Sequence, residues 1–274
     1  LRAIVINDHD LFIHSRNRRP LLPHFGELAR IGDLLARPCV LDGEIVVFDA
    51  QGRPDFDAAR TRNAGGVRKT PATFVAFDLL ELDGRWLGER PLDDRQAALA
   101  ELLDDVQGSI LIRSRPIPTA GRALFARAVA AGHEGVVGKL RSSPYRPGVR
   151  SAEWRKVRHV QRARVRLAGL RLDAAGRVRS ALLAAPGPNG YAFLGGAGSG
   201  LGEADRAKLA ALRRHARPGP PPELAGAPAG AEFVWLTEWP EVQVEYLQRG
   251  AHGRLRHPVW RGFVHAPASG RRAP

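Results

Sequence analysis

Between residues 132 and 158 the chain reads GHEGVVGKLRSSPYRPGVRSAEWRKVR, and within it a carboxylate, Glu134, and an ammonium, Lys139, bound a short apolar run. Lysine is rare here: of 42 basic residues only Lys69, Lys139, Lys156 and Lys208 are lysines. Arginine is forked and permanently protonated, so it fills places where any positive charge serves. A lysine that persists offers a compact donor suited to a single phosphate oxygen. The run from Glu134 to Lys139 predicts a short buried strand. Odd spacing puts its two charged side chains on opposite faces of an ideal strand, so they meet only at strand ends or across a twist. Trp154-Arg-Lys156-Val-Arg158 alternates and predicts a second strand with Trp154, Lys156 and Arg158 on one face, turned toward phosphate. Taken singly, each run also reads as an ordinary strand with charged ends, because short motifs match by chance.

A length of 274 residues suits one large or two ordinary domains, and two are expected. The formal charge of +14 and a pI near 11.2 point to a polyanionic partner, nucleic acid first, although an arginine-rich genome raises charge everywhere. The one cysteine, Cys39, excludes a disulfide framework and a metal-thiolate site. No apolar run approaches the ~18 residues of a membrane span, and no signal-peptide pattern opens the chain, so no membrane contact and a cytoplasmic location are expected. The chain begins at Leu1 and contains no methionine, from which a segment upstream of Leu1 is expected.

In order, 1–6 and 11–16 predict a hairpin around Asn7-Asp-His-Asp10. A helix is expected around 24–37, where Phe25, Leu28, Ile31 and Leu35 recur at three- and four-residue spacing. A strand at 39–49 carries Leu41-Asp-Gly-Glu44, Pro54-Asp-Phe-Asp57 opens a helix, and a strand at 73–82 runs into an Asp83-Gly84 turn. Helices near 91–105 and 119–131 flank a strand at 110–115, with Gly132 as a C-terminal cap. Helices alternating with antiparallel strands to about residue 160 argue an α+β domain of two packed layers. Strands at 162–172, 178–185, 190–195, 233–238 and 242–248 follow, with a helix at 201–216, the inventory of a small OB-type barrel that binds nucleic acid on its open face. The segment Arg217-Pro-Gly-Pro-Pro-Pro222 through Gly230 has a linker's composition but reads as a loop inside this second domain. Residues 249–274 hold six arginines and no acid, either a basic tail or a binding segment.

Taken together and in order, Ser15-Arg16, Leu41-Asp-Gly-Glu44, Phe74-Val-Ala-Phe77-Asp78, Glu134-Gly-Val-Val-Gly-Lys139, Trp154-Arg-Lys156-Val-Arg158 and Arg254-Leu-Arg256 resemble the successive motifs of the ATP-dependent DNA ligases. Gly253-Arg-Leu-Arg-His-Pro258 brings the resemblance closest to the bacterial ligases of non-homologous end joining. It implies an α+β nucleotidyltransferase (adenylation) domain with antiparallel sheets over 1–158, followed by an OB-fold β-barrel domain over 159–274. It also implies sealing of nicked or broken duplex DNA in three phosphoryl transfers: a lysine attacks the α-phosphate of ATP, AMP passes to a DNA 5′-phosphate, and a 3′-hydroxyl displaces it. By the same resemblance Phe77 stacks on adenine, Glu44 and Arg2 hold the ribose, and Glu134 with Glu44 binds a divalent metal, Mg2+ or Mn2+. Lys139, Lys156 and Arg158 face phosphates, Arg16 and Arg158 meet the DNA, and Arg254 and Arg256 orient the leaving pyrophosphate. Implied partners are nicked DNA and end-joining repair proteins, with the ligase acting as a monomer. The family's nucleophile lies in K-x-D-G-x-R, and Leu1-Arg2 match only its last two positions. The lysine is therefore expected just ahead of Leu1, and arginine cannot replace it, because attack requires a neutral nitrogen. Arg158 stands where the family usually has a lysine, a fork in place of a point donor. A non-catalytic nucleic-acid-binding remnant and a nucleotidyltransferase acting on RNA ends remain as other functions.

Overall fold

The computed structural model describes residues 1–66, 70–118, 120–250 and 253–264. Lys69 and the basic end from 265 on lie outside the described residues. The chain forms two compact units, Leu1–Arg127 with Val136–Val157, and Ala128–Gly135 with Arg158–Pro274.

In the first unit, β1 (Arg2–Asn7), β2 (Leu11–Ser15), β3 (Cys39–Val47), β4 (Ala72–Leu82) and β5 (Arg85–Trp86) form a sheet in the order β2-β1-β3-β4-β5, and β6 (Leu111–Arg113) adds to β4. Alternation sends Ala3, Val5, Ile13, Leu41 and Ile45 to one face, where they pack with Phe25, Leu28 and Ile31. Burying each such large apolar side chain is worth ~1.5–3 kcal/mol. The sheet is not antiparallel throughout, because β4 and β6 run parallel, joined by a crossover through α3 (Leu92–Leu102). The helix expected over 24–37 is instead a 3-10 turn, Gly26–Arg30, and a single turn, α1 (Ile31–Leu34). Gly26 and Gly32 weaken a continuous helix, yet Phe25, Leu28, Ile31 and Leu35 are all buried. In α2 (Phe56–Asn63), Asp55 is the N-cap and accepts from Ala58 N–H at 2.9 Å. Arg62 of α2 is buried against Glu27, to which it donates at 2.8 and 2.9 Å.

After α4 (Gly121–Ala130), Gly132 turns the chain at φ +78°. β7 (Gly135–Lys139) and β8 (Trp154–Arg158) then make a two-stranded sheet. The expectation that 134–139 is a buried strand is corrected here: no residue of β7 is fully buried and Val137 is 48% exposed. A two-stranded ribbon covers its apolar side chains less than a wide sheet does.

The second unit is built on β9 (Gln161–Leu172), β10 (Val178–Gly187), β11 (Gly190–Ala197), α5 (Glu203–Ala211), β12 (Ala216–Arg217), β13 (Leu224–Ala225), β14 (Phe233–Leu236), β15 (Glu241–Tyr246), β16 (Gln248–Arg249), β17 (Leu255–Arg256) and β18 (Val259–Phe263). β9 pairs with β10 and β15, β10 with β11, and β15 with β18. A bridge between Ser199 and Val259, with Trp260 N–H donating to the Ser199 carbonyl at 2.8 Å, joins the end of β11 to β18. The five strands thereby close into a barrel around Leu167, Leu183, Leu194, Val244 and Trp260. The helix expected over 201–216 ends at Ala211 and tightens into a 3-10 turn, Leu212–His215. A second cluster, Phe193, Leu224 and Trp235, lies apart from the barrel core. There the proline-rich loop contributes β13, paired parallel to β11. Among the described residues no helix is long and apolar enough to cross a membrane.

Candidate functional site

The site of the first unit starts from a defect in the β3–β4 ladder. Gly43 faces Ala76 and Asp42 faces Asp78, so Phe77 is an extra residue on β4, a β-bulge. A bulge re-aims its side chain and leaves its carbonyl out of the ladder. That carbonyl accepts from Gln96 Nε2 at 2.8 Å and Lys139 Nζ at 3.4 Å. Gly43 makes the close approach possible, since a Cβ there would lie 2.3 Å from the Phe74 ring and 2.6 Å from the Val75 carbonyl oxygen.

Around the half-buried Phe77 ring stand two cations. Lys139 Nζ lies 4.3 Å from its centroid and 3.9 Å from that of Trp154, and the Arg2 guanidinium lies 5.6 Å from Phe77. Burial pulls the Lys139 pKa down to about 8, against the opposing pull of Asp78 and Asp42.

Asp42 and Asp78 are cross-strand partners and both are fully buried. Like charges so placed repel, and an arginine answers each one. Arg2 Nε and Nη2 donate to Asp42 Oδ1 and Oδ2 at 3.1 and 2.5 Å. Arg95 Nε and Nη2 donate to Asp78 Oδ1 and Oδ2 at 2.8 and 3.0 Å, with the whole pair out of solvent. Breaking such a buried pair costs about 3–5 kcal/mol. Tyr145 adds its hydroxyl, donating to Asp42 Oδ2 at 2.9 Å.

Arg2, Phe77 and Lys139 are thus brought together. Arg2 is bound to Asp42, whereas Glu44 is exposed on β3. Arg16 is exposed beyond the end of β2, and Lys156 and Arg158 are exposed on β8. Glu134 is ion-paired with Arg256 in the second unit, where Arg254 donates to the Gly226 carbonyl at 3.3 Å and lies 5.4 Å from the Phe193 centroid. Asp42, Asp78, Arg95 and Tyr145 were not singled out in the sequence, although Asp42 and Asp78 stand inside the quoted motifs. The available signal was the placing of Tyr145 between Lys139 and Trp154.

An aromatic face flanked by two cations fits a purine nucleotide and its phosphates. Among the described residues no three His, Cys, Asp or Glu side chains gather to hold a metal ion. Magnesium needs only one or two carboxylates when substrate phosphates complete its shell.

The family model for the ATP dependent DNA ligase domain matches residues 1–158, and that for the ATP dependent DNA ligase C terminal region matches 174–265. The multifunctional non-homologous end joining protein LigD of Mycobacterium bovis is 36% identical over 271 residues, 96% of this chain and 34% of that protein. The chain therefore spans about a third of the length of this relative. DNA ligase C1 of Mycolicibacterium smegmatis is 34% identical over 77% of the chain and 64% of its own length. Among solved structures, mycobacterial DNA ligase D complexed with ATP and MES superposes with a TM-score of 0.57 at 35% identity, covering 96% of this chain and 85% of that one. The ligase domain of LigD from M. tuberculosis gives 0.55 at 33%, with the same coverage. The α+β sheet unit and the five-stranded barrel accordingly correspond to the adenylation domain and OB-fold of these proteins, and the chain belongs to the ATP-dependent DNA ligase family, of the bacterial end-joining type.

Proposed function

We propose that this chain is a ligase module that seals nicked or broken duplex DNA using ATP, with its adenylation domain over 1–158 and its OB-fold domain over 159–274. The observation that carries the reading is the bulged Phe77 ring held between Arg2 and Lys139. In it Phe77 stacks on adenine, Arg2 and Glu44 take the ribose, and Lys139, Lys156 and Arg158 neutralise phosphate charge. Glu134 serves the divalent ion that accompanies ATP, with Glu44 as a further carboxylate. Arg16 takes the phosphate at the nick, and Arg254 and Arg256 the leaving pyrophosphate. Phosphoryl transfer asks of a protein mainly position and neutralised charge, which are what this set of residues offers. End-joining repair proteins are its partners, in the cytoplasm, and it acts as a monomer.

The third step tests the reading without a nucleophilic lysine. In a duplex already bearing AMP on the 5′-phosphate at the nick, the 3′-hydroxyl oxygen attacks that phosphorus, the phosphodiester bond forms, and the bond to AMP breaks. The chain is expected to seal this substrate with magnesium and no ATP. Phe77→Ala should slow sealing at least ~fivefold, since stacking one base is worth ~1–3 kcal/mol. A folded protein that binds the duplex and releases no AMP would instead be the non-catalytic remnant, and faster sealing of an adenylated RNA nick would move the substrate to RNA.

A further inference from the structure

Tyr145 stands where the nucleotide-facing residues meet. Its backbone N–H donates to the Gly88 carbonyl at 2.7 Å. Its ring meets Trp86 and Trp154 edge-on at 6.5 and 6.1 Å, and the Arg95 guanidinium lies 6.0 Å from its centroid. With backbone and ring both held, the hydroxyl has one direction. It donates to Asp42 Oδ2 at 2.9 Å and accepts from Arg2 Nη2 at 3.3 Å. Burial, with the Asp42 carboxylate beside it, raises the hydroxyl's pKa, so it remains a donor at neutral pH.

Arg2 on its own has a choice of carboxylates. Glu44 is its direct partner across β1 and β3, and Asp42 lies diagonal to it, two residues along. Direct and diagonal neighbours are both within reach of a long side chain. The Tyr145 hydroxyl closes a three-membered ring of hydrogen bonds with Arg2 Nη2 and Asp42 Oδ2.

We propose that Tyr145 is a positioning residue for nucleotide binding, which locks Arg2 onto Asp42 beside Phe77 and so leaves the Glu44 carboxylate to the substrate. This rests on the reading of Arg2, Phe77 and Glu44 as a nucleotide site.

The test is calorimetric titration of ATP with magnesium into the full 274-residue chain, as wild type, Tyr145→Phe, Arg2→Ala and the double variant. Phenylalanine keeps the ring and removes only the hydroxyl. Tyr145→Phe is expected to weaken ATP about fivefold, the size of one net hydrogen bond, and to add less than about twofold once Arg2 is alanine, because coupled residues are not additive. A purely structural tyrosine would lower the melting temperature and weaken ATP equally in both backgrounds. Either that outcome or wild-type affinity in Tyr145→Phe overturns the proposal. Should Tyr145→Phe fold poorly, Asp42→Asn keeps the shape of the side chain and removes the charge Tyr145 serves. It must then weaken ATP by a similar factor, and unchanged binding overturns the proposal. A wild-type chain that binds no ATP sinks the nucleotide-site reading itself, a result separate from any of these.

Discussion

Lys139 shows what a single side chain gains and loses by leaving water. Its ammonium rests on two aromatic faces, and burial brings its pKa to about 8. The folded value lies below the unfolded one, so between about pH 8 and 10.5 the unfolded chain binds more protons, and this group's contribution to stability rises with pH across that window. Binding of phosphate has the opposite sign, because phosphate favours the charged form. ATP affinity is therefore expected to fall as pH rises through about 8, by up to about tenfold per pH unit. In Lys139→Arg the fall should flatten, since arginine stays protonated. Calorimetry from pH 7 to 9.5 checks this, and an unchanged profile in the variant would remove Lys139 from the phosphates. Scarcity made this lysine legible in the sequence, and Phe77 stood out by its motif. Tyr145 and Asp42 did not, because a hydrogen bond across 103 residues leaves no local pattern.

At the level of elements, the β3–β4 pair carries the site, and its bulge is what a period-two reading of 73–82 misses. Strand alternation assumes one residue opposite one residue, whereas Phe77 has none. The strands themselves were legible from their apolar runs. The helix over 24–37 was not, because spacing alone does not distinguish a helix from successive turns that bury the same four side chains. Gly43 gives this pair a sharp test. Alanine there collides with the Phe74 ring and the Val75 carbonyl, so Gly43→Ala is expected to cost about 1–3 kcal/mol in urea unfolding. It should also weaken ATP binding by disturbing the bulge. Wild-type stability and affinity together would mean that the close approach is not needed.

For the whole molecule, the charge of +14 sets how DNA binding should respond to salt. Each phosphate neutralised releases counterions, so the logarithm of affinity falls with that of salt at about −0.9 per contact. Arg16→Ala is expected to reduce the magnitude of that slope by about one, alike on nicked duplexes of different sequence. Fluorescence anisotropy in graded salt measures it, and an unaltered slope would place Arg16 off the DNA. Basic composition pointed to a polyanion from the outset, but not to which arginines are spoken for. Arg162 and Arg261, for instance, both donate to Glu245 at the barrel surface.

The bridge from Ser199 to Val259 also governs timing. A ribosome that has released only the first four staves of the barrel has made a curved sheet with two open edges. The hoop is complete only when β18 emerges, so until then the nascent second unit stays open and needs protection from other strands.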